Sequence, residues 1–215
     1  MTTMSFREDT GFVTLRRRDW LPAAIWGALA ASGLPCRAYA DEPSGRVEDV
    51  RGEAFARVGS RQRPLSPAAE VFVGDLVATG ANSALGLRLG AATRIRLGAE
   101  TQLRIDRFLI DAGGVLELGR GAMLFDRSEA APPADTAVRT PFGLIAVRGT
   151  RFFAGPSNGV FGVFVDRGRV IVAGSSSAVE VRAGFGTDIA APGANPTDPH
   201  PWAAARVERA FAEIR

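Results

Sequence analysis

The chain has 215 residues, 46% of them hydrophobic and 25 of them glycine, which suits one domain of ordinary size plus an appendage and excludes a disordered or collagen-like polymer. All 26 basic residues are arginine, and beyond Ala40 the balance is 21 arginines against 20 acidic residues. That near balance lacks the one-sided excess of nucleic-acid binders, so no nucleic-acid partner is expected.

The first 40 residues separate from the rest by pattern. A polar, arginine-containing start ends in TLRRRDWL, continues into the apolar run LPAAIWGALAASGL and closes with CRAYA. Ala38 and Ala40 flank Tyr39 in the small-x-small arrangement that signal peptidases cut, so residues 1–40 read as an export signal removed after Ala40. Arg17 and Arg18, followed by Asp19, Trp20 and Leu21, resemble the twin-arginine signature of proteins exported already folded. An apolar run of about 14 residues covers only about 21 Å, short of a hydrocarbon core of about 30 Å, so no stable membrane span is expected after cleavage and the mature protein is expected in the periplasm. Cys36, the single cysteine, lies inside this signal. Gly33 and Pro35 stand where a lipoprotein signal would want leucine and a small residue. Without a mature thiol, disulfides, thiolate metal sites and cysteine nucleophiles are all excluded.

From residue 41 to about 185 the chain reads as short alternating segments broken by glycine. Leu85, Leu87 and Leu89, then Ile95 and Leu97, Leu103 and Ile105, Leu116 and Leu118, Val163 and Val165, and Val179 and Val181 follow the period of two that marks half-buried strands. The units GAATRIRL and GAETQLRI repeat directly, preceded by the longer relative GANSALGLRL. A glycine turn every 8 to 10 residues suggests an antiparallel meander in a sandwich or roll of short strands, with a β-solenoid as the alternative. If the repeated strands are neighbours, Arg88, Arg94, Arg96 and Arg104 share one outward face. Such a face is either a platform for an anionic partner, a phosphate-bearing glycan or an acidic protein surface, or a solvated sheet face with arginines paired to Asp106 or Glu100.

The stretch VRTPFGLIAVRGTRFFA, Val138 to Ala154, brackets an apolar strand between Thr140-Pro141 and Arg148-Gly149-Thr150. Pro141 fixes φ and donates no hydrogen bond, which suits the start of a strand. Gly149 permits positive φ, so Val147 and Phe152 can belong to two strands joined at a tight corner. Thr150 is positioned to bond backbone within that corner, and Arg148 to clamp a carboxylate. Further on, residues 186–200, ending in DPH, read as a proline-rich linker, and 201–215 as an amphipathic helix with Pro201 in its first turn. Its apolar stripe is Ala203, Val207, Ala210, Phe211 and Ile214, packed on its own domain or docked to a partner.

Catalytic groups are scarce. His200 is the lone histidine, in the linker, and reads as a solvated loop residue. Asp75, Asp106, Asp111, Glu117, Asp126 and Asp166 sit near strand ends, where turn formation is the ordinary role and a glycosidase pair the sharper one. GRGAM, Gly119 to Met123, lacks the lysine and spacing of a phosphate loop. No cofactor or metal is expected.

Taken in order, GRVEDVRG (Gly45 to Gly52), VGDLVATG (Val73 to Gly80), LGRG (Leu118 to Gly121) and VRTPFGLIAVRGTRF (Val138 to Phe152) resemble the successive hallmarks of the FecR domain, named after the regulator of iron-citrate transport. The resemblance covers roughly residues 45 to 175, and the Thr-Pro followed by Val-Arg-Gly-Thr-x-Phe element is its most specific part. It implies an all-β, envelope-located, non-enzymatic domain. In the founding regulators that domain lies outside the inner membrane and passes a signal from a transporter to a cytoplasmic sigma factor. Here about 15 residues precede the arginine cluster, fewer than a cytoplasmic anti-sigma segment needs. The expectation is therefore an exported sensor or scaffold that binds an envelope protein. A carbohydrate or cell-wall glycan binder and a carboxylate glycosidase are the alternatives.

Overall fold

The computed structural model describes residues 43–214, apart from 110–112, 133–134 and 148. The chain runs through β1 (Gly45–Arg51), β2 (Ala54–Val58), β3 (Arg61–Pro64), β4 (Glu70–Val71), β5 (Leu76–Thr79), β6 (Ala84–Leu89), β7 (Thr93–Leu97), β8 (Gln102–Leu109) and β9 (Gly113–Arg120). It continues with β10 (Met123–Arg127), β11 (Asp135–Thr140), β12 (Gly143–Val147), β13 (Arg151–Ser157), β14 (Val160–Arg167), β15 (Arg169–Ala173), β16 (Ala178–Arg182), β17 (Phe185–Ile189), β18 (His200–Pro201) and the helix α1 (Ala204–Ala212).

These strands form two nine-stranded sheets. The first has the order β18-β17-β14-β13-β10-β7-β6-β1-β4 and the second β16-β15-β12-β11-β9-β8-β5-β2-β3. The alternating apolar residues explain why they stack. Leu85, Leu87, Leu89, Ile95, Leu97, Leu103, Ile105, Leu116, Leu118, Val163 and Val165 all lie in one buried core between the sheets, and Phe125 stacks on Phe152 with ring centroids 5.3 Å apart. At about 1.5–3 kcal/mol per buried large apolar side chain, this core is the main driving force for the fold.

The architecture is the expected all-β stack of short strands, neither a closed barrel nor a solenoid. Two details differ from the sequence reading. Pairing is antiparallel throughout except between β9 and β11, which run parallel with Gly113 opposite Asp135, because the chain visits the first sheet as β10 before returning beside β9. The meander also breaks after two units. β6 and β7 pair in the first sheet, but the third unit, β8, joins the second sheet beside β5 and β9. The turn between them redirects the chain through Glu100, at φ +51, and through buried Thr101, whose hydroxyl bonds the Ala122 backbone at 3.0 Å.

The C-terminal segment deviates in a similar way. Phe185–Ile189 is a strand rather than the start of a linker, and His200–Pro201 pairs with it as β18, leaving the helix to begin at Ala204. Ala203 is exposed and Arg206 takes its place on the buried stripe with Ala210 and Ile214, because Arg206 finds a carboxylate partner there.

Candidate functional site: arginine rows, a helix clasp and an end groove

The outer face of the first sheet carries a cross-strand row of arginines. Strand register sets Arg46 opposite Arg88, Arg88 opposite Arg94, Arg94 opposite Asp126, Asp126 opposite Arg151 and Arg151 opposite Arg167. Like charges directly opposite one another on a sheet repel, so such a row stands only if carboxylates are interleaved. A bulge supplies them. The register of β1 shifts between Val47 and Asp49, and both Glu48 and Asp49 consequently reach the outer face. Glu48 accepts from Arg88 at 2.7 Å and Arg94 at 3.3 Å, and Asp49 from Arg96 at 2.9 Å. Gly86 makes room for this, since a Cβ there would lie 2.3 Å from the Asp49 carboxylate. Further along, Asp126 holds Arg151 and Arg167, each at 3.0 Å, while Asp166 and Glu129 take their second contacts at 3.1 Å. Every arginine of the row, and Arg96 beside it, has a carboxylate within 4 Å.

Arg88, Arg94 and Arg96 are thus brought together, and Arg104 is not. It lies on the outer face of the second sheet, between Leu76 and Glu117, with Glu117 at 3.4 Å, because the third repeat changes sheets. The partners also differ from those expected: Glu48, Asp49 and Glu117 take the places given to Glu100 and Asp106, and Asp106 pairs instead with Arg139.

In the bracketed element, β11 and β12 form a hairpin with Thr140 opposite Gly143 and Pro141-Phe142 as its two-residue turn. The Thr140 hydroxyl donates to the Gly143 carbonyl and accepts from the Phe142 N–H, both at 3.0 Å, closing the turn. Gly143 sits at φ +147 where a Cβ would meet the Ala173 carbonyl at 2.3 Å. Val147 and Phe152 fall on β12 and β13, in different sheets, so the corner between them carries the chain across the sandwich. Gly149 is at φ +61 with nothing within 4 Å of a Cβ position, so backbone conformation alone selects glycine there. Thr150 is fully buried and packed against Gly168, and its hydroxyl has no hydrogen-bond partner among the described residues, the corner backbone included. Arg148, like Arg17, Arg18, Ala38 and Ala40 of the export signal, lies outside the described residues.

The helix packs on its own domain, over the first sheet. Trp202 lies on a floor made by Gly162 and Gly186, where Cβ atoms would approach its indole to 2.7 and 2.2 Å, and stacks on Phe164 at 5.2 Å. Arg206 stacks on the indole at 3.6 Å, forks onto Asp188 at 2.6 and 3.0 Å, and donates to the Ser157 hydroxyl at 3.0 Å. A second small core of Ala122, Leu124, Phe153, Phe164, Trp202, Ala210 and Ile214 results.

The candidate carboxylates are engaged with arginines rather than with one another. Asp75 is buried against Arg63, Asp106 faces Arg139, Glu117 faces Arg104, and Asp126 and Asp166 share Arg151; Asp111 is outside the described residues. His200 is half-exposed, 3.6 Å from Asp188. Among the described residues no group of three or more His, Cys, Asp or Glu is placed to hold a metal ion.

Sequence reasoning missed a groove of about 520 Å³ at one end of the sandwich. Pro141, Phe142, Pro156, Phe161 and Pro192 line it, and Phe142 stacks flat on Phe161 with centroids 4.5 Å apart. A second groove of about 530 Å³ shares Leu118, Gly119 and Pro141 with it and extends along Arg57, Arg104 and Arg139. The turn dipeptide Asn158-Gly159, with φ +54 and +81, is the signal that would have set β13 against β14 and brought Pro156 to Phe161.

Two stacked β-sheets, one outer face covered by a short helix and salt-linked arginines, define an all-β domain with a C-terminal helix. Residues 75–171 match the family described as FecR protein. Its fold is similar to two crystal structures of a proposed anti-sigma factor from Parabacteroides distasonis ATCC 8503, each with 18% identity, a TM-score of 0.51 and coverage of 62% of either chain. The chain thus spans about 62% of the length of those structures. A comparison with curated proteins finds no match.

Proposed function

We propose that this protein is an exported FecR domain that works in the cell envelope as a sensor or scaffold, binding a protein partner in a signalling pathway and catalysing no reaction. The match of residues 75–171 to the FecR family carries this reading. The described carboxylates support it, since each candidate acid or base is an ion-pair acceptor for arginine. Among the described residues no helix is long and apolar enough to cross a membrane. Export through the twin-arginine route, with cleavage after Ala40, is part of the proposal. Fractionation of cells producing the full chain tests it: the protein is expected in the periplasm with Asp41 as its first residue, and retained uncut when Arg17 and Arg18 are both changed to Lys. Affinity capture from the native envelope is then expected to recover a transport or signalling protein. Turnover of a glycan by the purified protein would overturn the reading.

A further inference from the structure

The two grooves at the end of the sandwich form one continuous surface, joined at Leu118, Gly119 and Pro141. We infer that this surface docks an extended segment of a partner protein in which carboxylate side chains flank an apolar anchor. The inference rests on the protein-binding reading above and names where and by what chemistry that binding occurs.

Charge is the first argument. On the first sheet every arginine of the row has a carboxylate within 4 Å. Around the end groove the balance is different. Arg57 and Arg120 are exposed and have no carboxylate within 4 Å among the described residues, beside Arg104 and Arg139, which pair with Glu117 and Asp106 at 3.4 Å. Guanidiniums without an internal partner are the groups free to take a carboxylate from outside, by paired N–H donors.

Shape and polarity are the second argument. The apolar part is walled by prolines, which offer no N–H, and by the Phe142–Phe161 stack. A Cβ at Gly159 would meet nothing within 4 Å, and one at Gly119 would meet only a carbonyl at 3.9 Å, so a foreign backbone can approach the groove closely. A sugar ring would need an open aromatic face. Phe142 and Phe161 cover one another, and Phe161 is only 5% exposed, which leaves a slot for a side chain rather than a platform for a pyranose.

A random peptide library displayed on phage and selected against the full chain tests this, with affinities of the selected peptides measured by fluorescence anisotropy. Enriched peptides are expected to carry Asp or Glu within a few residues of Phe, Leu or Pro. Arg57→Ala with Arg120→Ala is expected to weaken them by about tenfold or more, as loss of charge-assisted hydrogen bonds implies. The thermal midpoint should not move, since neither arginine has a carboxylate partner to lose among the described residues. Arg88→Ala with Arg94→Ala should leave affinity unchanged. Absence of enrichment, enrichment without acidic residues, or equal affinity for the Arg57/Arg120 variant would overturn the inference, as would displacement of the peptides by a soluble muropeptide. If envelope capture still recovers a signalling protein after any of these, the groove is wrong and the protein-binding function stands.

Discussion

The outer faces of the two sheets are built from the same residue types and end in opposite states. The first sheet satisfies itself: Trp202, Ala210 and Ile214 bury one part of its face, and interleaved carboxylates neutralise the arginine row on the rest. The second sheet has no helix over it among the described residues, and Leu144 and Ile171 stand 40% and 49% exposed on its outer side. A face whose groups are already paired has little left to give a partner, because any new contact must first break an internal one. The contrast teaches that arginine density alone does not mark a binding face. What matters is which guanidiniums the fold leaves without an acceptor: Arg57 and Arg120 at the end groove are among them, and none of Arg88, Arg94, Arg96 and Arg104 in the repeat is.

Removing the helix cover attacks the contrast most strongly. Trp202→Ala empties the space over Gly162 and Gly186 and strips Arg206 of its stacking surface, so chemical denaturation should show a loss of about 3–5 kcal/mol, with binding of a hydrophobic dye to the uncovered first sheet. Gly149→Val places a β-branched residue at φ +61 in the corner that joins the two sheets, and should cost about 1–2 kcal/mol; an unchanged thermal midpoint would show that the corner is not strained. Leu144→Ser with Ile171→Ser sharpens the contrast from the other side. Both residues are exposed, so stability should stay within about 0.5 kcal/mol per site, unlike any comparable change beneath the helix.

The smallest effect concerns Glu213 at the C-terminal cap of α1, where burial raises its carboxyl above the usual 4.5. A carboxyl raised in the folded state binds its proton more tightly there than in the unfolded chain, so its contribution to stability is present at low pH and lost as pH rises through the folded value. The negative end of the helix dipole adds to the cost of the charge. Glu213→Gln should therefore be slightly the more stable protein at pH 7, a small gain because solvent reaches the exposed residue, with the difference vanishing at acidic pH.

Much of the fold was legible because apolar alternation is a local signal. Leu85 through Leu118 announced their strands and their inward faces, and all are buried. What alternation does not encode is the sheet to which a strand belongs. The units containing Arg94 and Arg104 read alike, yet the turn through Glu100 sends them to opposite sheets. Nor does it reveal where a bulge doubles the carboxylates of β1, which decides the state of the arginine row. Arg206 defeated the helical pattern for a related reason: its partner Asp188 is 18 residues away, so its burial is a tertiary fact. Gly162 and Gly186, outward glycines in mid-strand, were the available hint that something packs closely on the first sheet.

Photocrosslinking in the native envelope bears most directly on the claim that one surface is sealed and another open. A benzophenone amino acid is placed in the full chain at Val160, on the end groove, or at Arg94, in the salt-linked row. Adducts to a single envelope protein from Val160, with none from Arg94, are the predicted result. Adducts from Arg94 alone would contradict the account.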